Sequence, residues 1–206
     1  MNSNFNKDLS REELLGKYLD GIYSDTLKDF NIERISDIDL QHRGVDIIIS
    51  RSGNNYHIDE KAQLDYTGHD LPTFAFEITY LKHGEQKLGW LFDAHKVTDK
   101  YFVITGIFLN TPNDFNKGFK SCKITSVDRT RLVRLLSTKG LEIQRILEIN
   151  QELRSGSREG SIAVKELDSR SEGNFYFSKS NKAEQPINIV LKLDYLIKNG
   201  VAKKVH

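Results

Sequence analysis

The chain has a single cysteine, Cys122, among its 206 residues. An internal disulfide is therefore excluded, and a reducing compartment is the natural setting. Placed in Lys120-Ser121-Cys122-Lys123, that cysteine reads as a passive residue rather than a nucleophile. No apolar run approaches the ~18 residues of a membrane span, and the opening MNSNFNKDLSREELL lacks the apolar core of a signal peptide. A cytoplasmic protein without a membrane partner is expected. His57, His69, His83 and His95 are scattered, without the close spacing of a zinc site. Internal repeats, low-complexity tracts, a phosphate-binding glycine loop and a dinucleotide fingerprint are all missing.

Net charge is also nearly absent, at a formal +1. That argues against a generic basic nucleic-acid coat, but the average conceals an asymmetry. Residues 1–116 hold 12 Lys+Arg against 19 Asp+Glu, and residues 117–206 hold 18 against 10. An acidic half beside a basic half suits a protein that holds a cation in one place and phosphates in another.

What is present centres on Gly44 to Gln63, GVDIIISRSGNNYHIDEKAQ. Val45 to Ser50 is rich in β-branched residues, Asn55 to Ala62 alternates, and Arg51-Ser52-Gly53-Asn54 between them supplies turn chemistry. Pairing Ser50 with Asn55 sets Asp46 opposite Asp59. Strand side chains alternate with a period of two, so Asp46, Asp59 and Lys61 share one face. Ile47, Ile49, Tyr56 and Ile58 point the other way, into a core.

Two opposed carboxylates repel. At ~4 Å the cost is about 1 kcal/mol in water and about 4 kcal/mol in a less polar setting, so a cation between them is expected. Lys61 brings one positive charge, and Mg²⁺ would bring two more. Mg²⁺ accepts a few carboxylates and keeps several waters. A metal so held polarises a phosphoryl oxygen and acidifies a bound water, and an adjacent ammonium orients that water or offsets charge in the transition state. This is chemistry for hydrolysing a phosphodiester.

Asp46, a turn, then Asp59-Glu60-Lys61 resembles the Asp-x(n)-(Asp/Glu)-x-Lys signature of the PD-(D/E)xK nuclease superfamily, the restriction endonuclease-like fold. The likeness spans residues 10 to 110, and Val45 stands where the pattern's name has proline. It implies that Asp46 and Asp59, with Glu60 beside them, bind Mg²⁺ or Mn²⁺, and that Lys61 assists the attacking water. Gln63 is similar to a polar residue that some members carry after the lysine. An acid on the first helix, here Glu13 or Glu12, joins the site in some members. Double-stranded DNA is the implied partner, and a homodimer follows for an enzyme that cuts both strands.

Around this hairpin, Ser10 and Glu13 form a capping box for a helix carrying Leu14, Leu15, Tyr18, Leu19, Ile22 and Tyr23 to about Leu27. Phe30 to Leu40 reads as an irregular strand, with Asp37 and Asp39 as alternative acids. His42-Arg43 reads as a solvated turn. Thr73 to Leu81 and Lys100 to Leu109 read as strands. Glu77 interrupts the first of these, to pair with a lysine across the sheet or to add a ligand. Lys87 to Phe92 leads into a connection bearing Asp93, His95, Lys96 and Asp99, with Trp90 and Phe92 in the core. His57 shares the face of Asp59.

Thr111 to Lys123 reads as a loop, Ser126 as the cap of a helix to Lys139, and Gly140 as a break before a helix to Leu153. Arg129, Arg131, Arg134 and Arg145 on these helices suit phosphate contacts. RSGSREGS, residues 154–161, reads as a linker. It divides a core domain, 1–153, from an extension of short strands and a terminal helix, 154–206, packed on that core. The expected architecture is α/β, a central mixed sheet flanked by helices. The expected activity is metal-dependent DNA cleavage of restriction type. A nuclease-like fold that binds nucleic acid or a protein without cutting is the competing reading, and an RNA- or nucleotide-processing hydrolase is another.

Overall fold

A computed structural model describes residues 2–180 and 182–206, with side chains from Ser10 onward. In chain order the elements are α1 (Asn2–Thr26), β1 (Asn31–Arg34), α2 (Ile38–His42), β2 (Ile47–Arg51), β3 (Asn54–Ala62), β4 (Thr73–Lys82), β5 (Glu85–Leu88), β6 (Lys100–Thr111), β7 (Asp114–Asp128), α3 (Arg129–Thr138), α4 (Ile143–Ser155), β8 (Gly160–Ile162), β9 (Gly173–Phe177), β10 (Ile187–Lys192), α5 (Leu193–Lys198) and β11 (Ala202–Lys204). The class is mixed α/β. Among the described residues no helix is long and apolar enough to cross a membrane.

The first sheet has the order β1-β2-β3-β6-β7-β11. It is mixed, because β3 and β6 run parallel while its other neighbours are antiparallel. Leu15, Leu19 and Tyr23 recur at helical spacing on α1 and bury against Ile47, Ile49, Ile58, Phe102 and Ile104. Each such side chain contributes about 1.5–3 kcal/mol when fully withdrawn from water. The opposite face carries Tyr101, Val103 and Val127, which belong to one core with Phe76 of β4, Phe175 of β9, Ile189 of β10 and the inner sides of α3 and α4. Helices alone do not cover that face. A second, antiparallel sheet of order β5-β4-β10-β9-β8 shares the work.

Several local expectations change. Helix α1 starts at Asn2 rather than after Ser10, since residues 2–9 contain neither proline nor glycine to stop it. Glu13 is thus no cap and instead accepts a hydrogen bond from Lys17 at 2.7 Å. β1 ends at Arg34 because Asp37 caps α2, accepting from the Leu40 amide at 2.9 Å. The turn expected at Gly84-Glu85-Gln86 is shorter, because β5 already starts at Glu85, and a second turn over residues 90–92 follows Leu88. Residues 111–123 are not a loop. They turn at Pro112-Asn113 and return as β7, drawn in by Phe119, which stacks on Tyr18 with centroids 5.2 Å apart. β7 runs on past Ser126 to Asp128, whose carboxylate caps α3 by accepting from the Arg131 amide.

The division at residue 153 also dissolves. β10 lies between β4 and β9, and β11 pairs with β7 at the edge of the first sheet. Residues 154–206 therefore complete both sheets. The glycine- and serine-rich stretch before them holds the end of α4 and the start of β8. Cys122 is buried, and that burial pushes its thiol up to about 11, which leaves it inert at neutral pH.

Candidate active site

The β2–β3 hairpin has the register read from its alternation, with Ser50 opposite Asn55 and Ile47 opposite Ile58. Its turn is Ser52-Gly53, both at positive φ, the backbone that a two-residue hairpin requires. The Asp46 amide donates to Ile58 at 2.8 Å, which carries the ladder one residue further and sets Asp46 against Asp59. Ile47, Ile49 and Ile58 are buried on the other face, whereas Tyr56, expected with them, is 37% exposed, with the Lys100 ammonium over its ring.

Before Asp46 the chain turns away into α2, while β3 continues to Ala62. The strand there has lost its β2 neighbour. Asp46 fills the gap, its Oδ2 accepting from the Glu60 amide at 2.7 Å. The opening is a cleft of about 350 Å³, lined among others by Glu12, Arg34, Gln41, Asp46, Glu60 and Lys61.

Asp59 is 1% exposed. Its Oδ1 accepts from the Lys61 ammonium, and its Oδ2 is buried with no hydrogen-bond partner. A bare, buried carboxylate oxygen is costly unless something positive reaches it. Burial first, and then the charge of Asp59, push the Asp46 carboxyl up to about 7, against the opposing pull of Lys61 and the Glu60 amide. Burial disfavours the Lys61 ammonium, but the charge and hydrogen bond of Asp59 outweigh this and hold it above the usual lysine range. With both carboxylates ionised the pair would hold one negative charge more than Lys61 neutralises, and without a cation Asp46 relieves this by keeping its proton up to about pH 7.

A divalent cation fits this donor set. The buried oxygen without a donor, the second carboxylate opposite and the hard-oxygen chemistry match what Mg²⁺ accepts. Among the described residues no group of three or more His, Cys, Asp or Glu side chains is placed to hold a metal ion, so the protein would supply two carboxylates and water the rest. Glu60, expected as a third ligand, has its carboxylate engaged: Tyr23 donates at 2.5 Å and Arg34 at 2.6 Å. Arg34 also binds Asp20, so this network ties β3 to α1 and β1. Gln63 donates to the Thr73 carbonyl at 2.9 Å and leaves its buried Oε1 without a partner.

The other acids separate clearly. Glu12 lines the cleft and its charge favours the Lys61 ammonium, whereas Glu13 is spent on Lys17. Asp37 is a cap. Glu77 faces no lysine across the sheet. It is opposite Asn188, accepts from the Trp90 amide, and is held above the usual carboxylate range by burial and by Glu184. His57 lies beside Asp99, at 3.7 Å.

The arginines expected to meet phosphates are largely occupied. Arg129 donates to the carbonyls of Leu91, Asp93 and Lys96, Arg131 to that of Gly200, and Arg145 pairs with Glu148, Glu152 and Glu166. Arg134 is exposed. Two roles are not legible in the sequence. Gly44, at φ 78, has no room for a Cβ, which would meet Thr98 Oγ1 at 2.4 Å and Asp59 Oδ2 at 3.3 Å. Arg129 organises the loop that backs the site; its signal, one arginine at the start of a helix, is shared with many solvated ones. Comparison of the chain with protein-family models, with curated proteins and with solved structures finds no match.

Proposed function

We propose that this chain is a metal-dependent nuclease with a restriction endonuclease-like catalytic hairpin, hydrolysing phosphodiester bonds in DNA. One observation carries the reading: Asp46 and Asp59 are opposed at the break between β2 and β3, with a buried Asp59 oxygen that has no donor and Lys61 against the same carboxylate. Asp46 and Asp59 would hold Mg²⁺ or Mn²⁺. When bound, such an ion acts as a Lewis acid on the phosphoryl oxygen and makes a bound water a better nucleophile.

The chain's own residues do the rest. Lys61 offers a proton-bearing ammonium at the edge of the carboxylate pair, where it orients water or offsets charge on the phosphorane-like transition state. Gln63 presents an acceptor two residues further on. Glu60, bound by Tyr23 and Arg34, keeps β3 in place so that its amide holds Asp46. Retention of all three of Asp46, Asp59 and Lys61 favours catalysis over a module that only binds.

The test is incubation of purified protein with supercoiled plasmid, linear duplex, single-stranded DNA and RNA, each with Mg²⁺, Mn²⁺ or EDTA. Metal-dependent cleavage of duplex DNA that disappears in EDTA and in Asp59→Ala is expected. Cleavage of RNA alone would move the substrate class, and cleavage untouched by Asp59→Ala would overturn the site.

A further inference from the structure

Lys61 has a second set of neighbours that the carboxylate pair does not explain. Its ammonium lies 5.6 Å from the centroid of Trp90, over the ring. Trp90 is itself fixed, edge-on to Tyr101 at 4.7 Å and tilted against Phe76 at 5.7 Å, with its carbonyl accepting from the Tyr101 hydroxyl at 3.1 Å. The turn that carries it is clamped onto β4. Gly89 donates to Ile78 at 2.9 Å, and a Cβ on Gly89 would meet the Glu77 carbonyl at 2.5 Å, so only glycine allows this approach. Glu77 accepts from the Trp90 amide and lies close enough to Lys61 to feel its charge. An indole face and a carboxylate, carried by β4 and the turn after β5, thus accompany the ammonium in addition to Asp59.

Resting on the nuclease reading above, we propose that Trp90 and Glu77 form an alternative seat for the Lys61 ammonium, taken up when a divalent cation claims Asp59. Lys61 and the cation both draw on the Asp59 carboxylate, and a lysine displaced from it into a half-buried setting needs other negative groups. An aromatic face attracts a cation, most strongly when water is excluded, and Glu77 adds a full charge. Glu12 also favours the charged lysine from the α1 side, and Asp46 does so from across the hairpin. Trp90 and Glu77 act through Lys61 and are positioning residues. They touch neither the metal nor the scissile bond.

Trp90 is the chain's sole tryptophan, so its emission reports on this seat directly. The experiment is a Mg²⁺ titration of the full chain without substrate, followed in parallel by calorimetry and by Trp90 fluorescence. It is run on the wild type, Glu77→Gln, Lys61→Met and the double variant, each checked for folding by circular dichroism. A saturable change in Trp90 emission that tracks the binding heat is expected, and it should vanish in Lys61→Met although Mg²⁺ still binds. Glu77→Gln should weaken Mg²⁺ about three- to tenfold with Lys61 present and less than about twofold in the Lys61→Met background, the signature of two groups acting through one another. Equal weakening in both backgrounds, or an emission change that survives Lys61→Met, overturns the inference and leaves the nuclease reading intact. Absence of any Mg²⁺ heat in the wild type overturns both. Where cleavage is measurable, Trp90→Leu should lower kcat about 10- to 100-fold at little-changed KM and Trp90→Phe should recover most of that loss, whereas equal loss in both variants overturns the inference.

Discussion

At the scale of single residues, Asp46 and Asp59 set two carboxylates in little water beside one ammonium, that of Lys61. Asp46 shows this in a form that pH can read in the metal-free protein. Its carboxyl is raised from the ordinary carboxylate range to about 7, so between those values the folded chain binds more protons than the unfolded one. Stability from this group is therefore present at low pH and lost as pH rises through about 7, by on the order of 2–4 kcal/mol. In EDTA, Asp46→Asn should remove that slope between about pH 4 and 7 and leave the protein more stable at pH 8. Chemical denaturation across that range checks it, and an unchanged slope counts against the pairing. Gly44 supplies a second test. Gly44→Ala meets both a left-handed backbone and the Thr98 hydroxyl, and should destabilise by about 2–3 kcal/mol in the same assay.

At the scale of elements, the hairpin was legible and its surroundings were not. Val45 to Ala62 announces itself through β-branched alternation and a Ser-Gly turn, so the register that opposes Asp46 and Asp59 follows from the residues alone. The elements that fold against it give weaker signals. Asp37 reads as a strand residue until its cap to Leu40 is seen, and β7 reads as a loop because Asn, Lys and Gly outnumber the phenylalanines that anchor it. Arg129 reads as a phosphate ligand, yet its guanidinium spans three carbonyls of the loop that includes Leu91 and Lys96. Replacing it by methionine leaves those acceptors without a donor. Arg129→Met should cost about 2–4 kcal/mol, measured as a shift in the denaturation midpoint. A loss below about 0.5 kcal/mol would return Arg129 to the surface and to nucleic acid.

At the scale of the molecule, the two sheets are interdependent, and this was hidden from the sequence. Pairing between β4 and β10 joins residues more than a hundred positions apart, and no local pattern marks it. The composition of residues 154–161 suggests a boundary where the fold has only a connection. A chain ending at residue 153 lacks β8 to β11 and α5, exposing Phe76, Val103 and Val127. It should fail to give a cooperative thermal transition, and a well-folded 1–153 fragment would restore the separate core. The second sheet and the turn after β5 also back the candidate site, through Glu77 and Trp90, so the β2–β3 hairpin is not self-sufficient.

The most direct measurement is DNA cleavage by Lys61→Ala in Mg²⁺, beside circular dichroism and thermal melting of the same preparation. Lys61 lies at the carboxylate pair without building the core, so its loss should leave the fold cooperative. Cleavage should fall by about 10²-fold or more, in the range that a single proton-handling or charge-stabilising group contributes. A folded Lys61→Ala protein that cuts DNA as fast as the wild type would contradict the assignment of the hairpin as an active site.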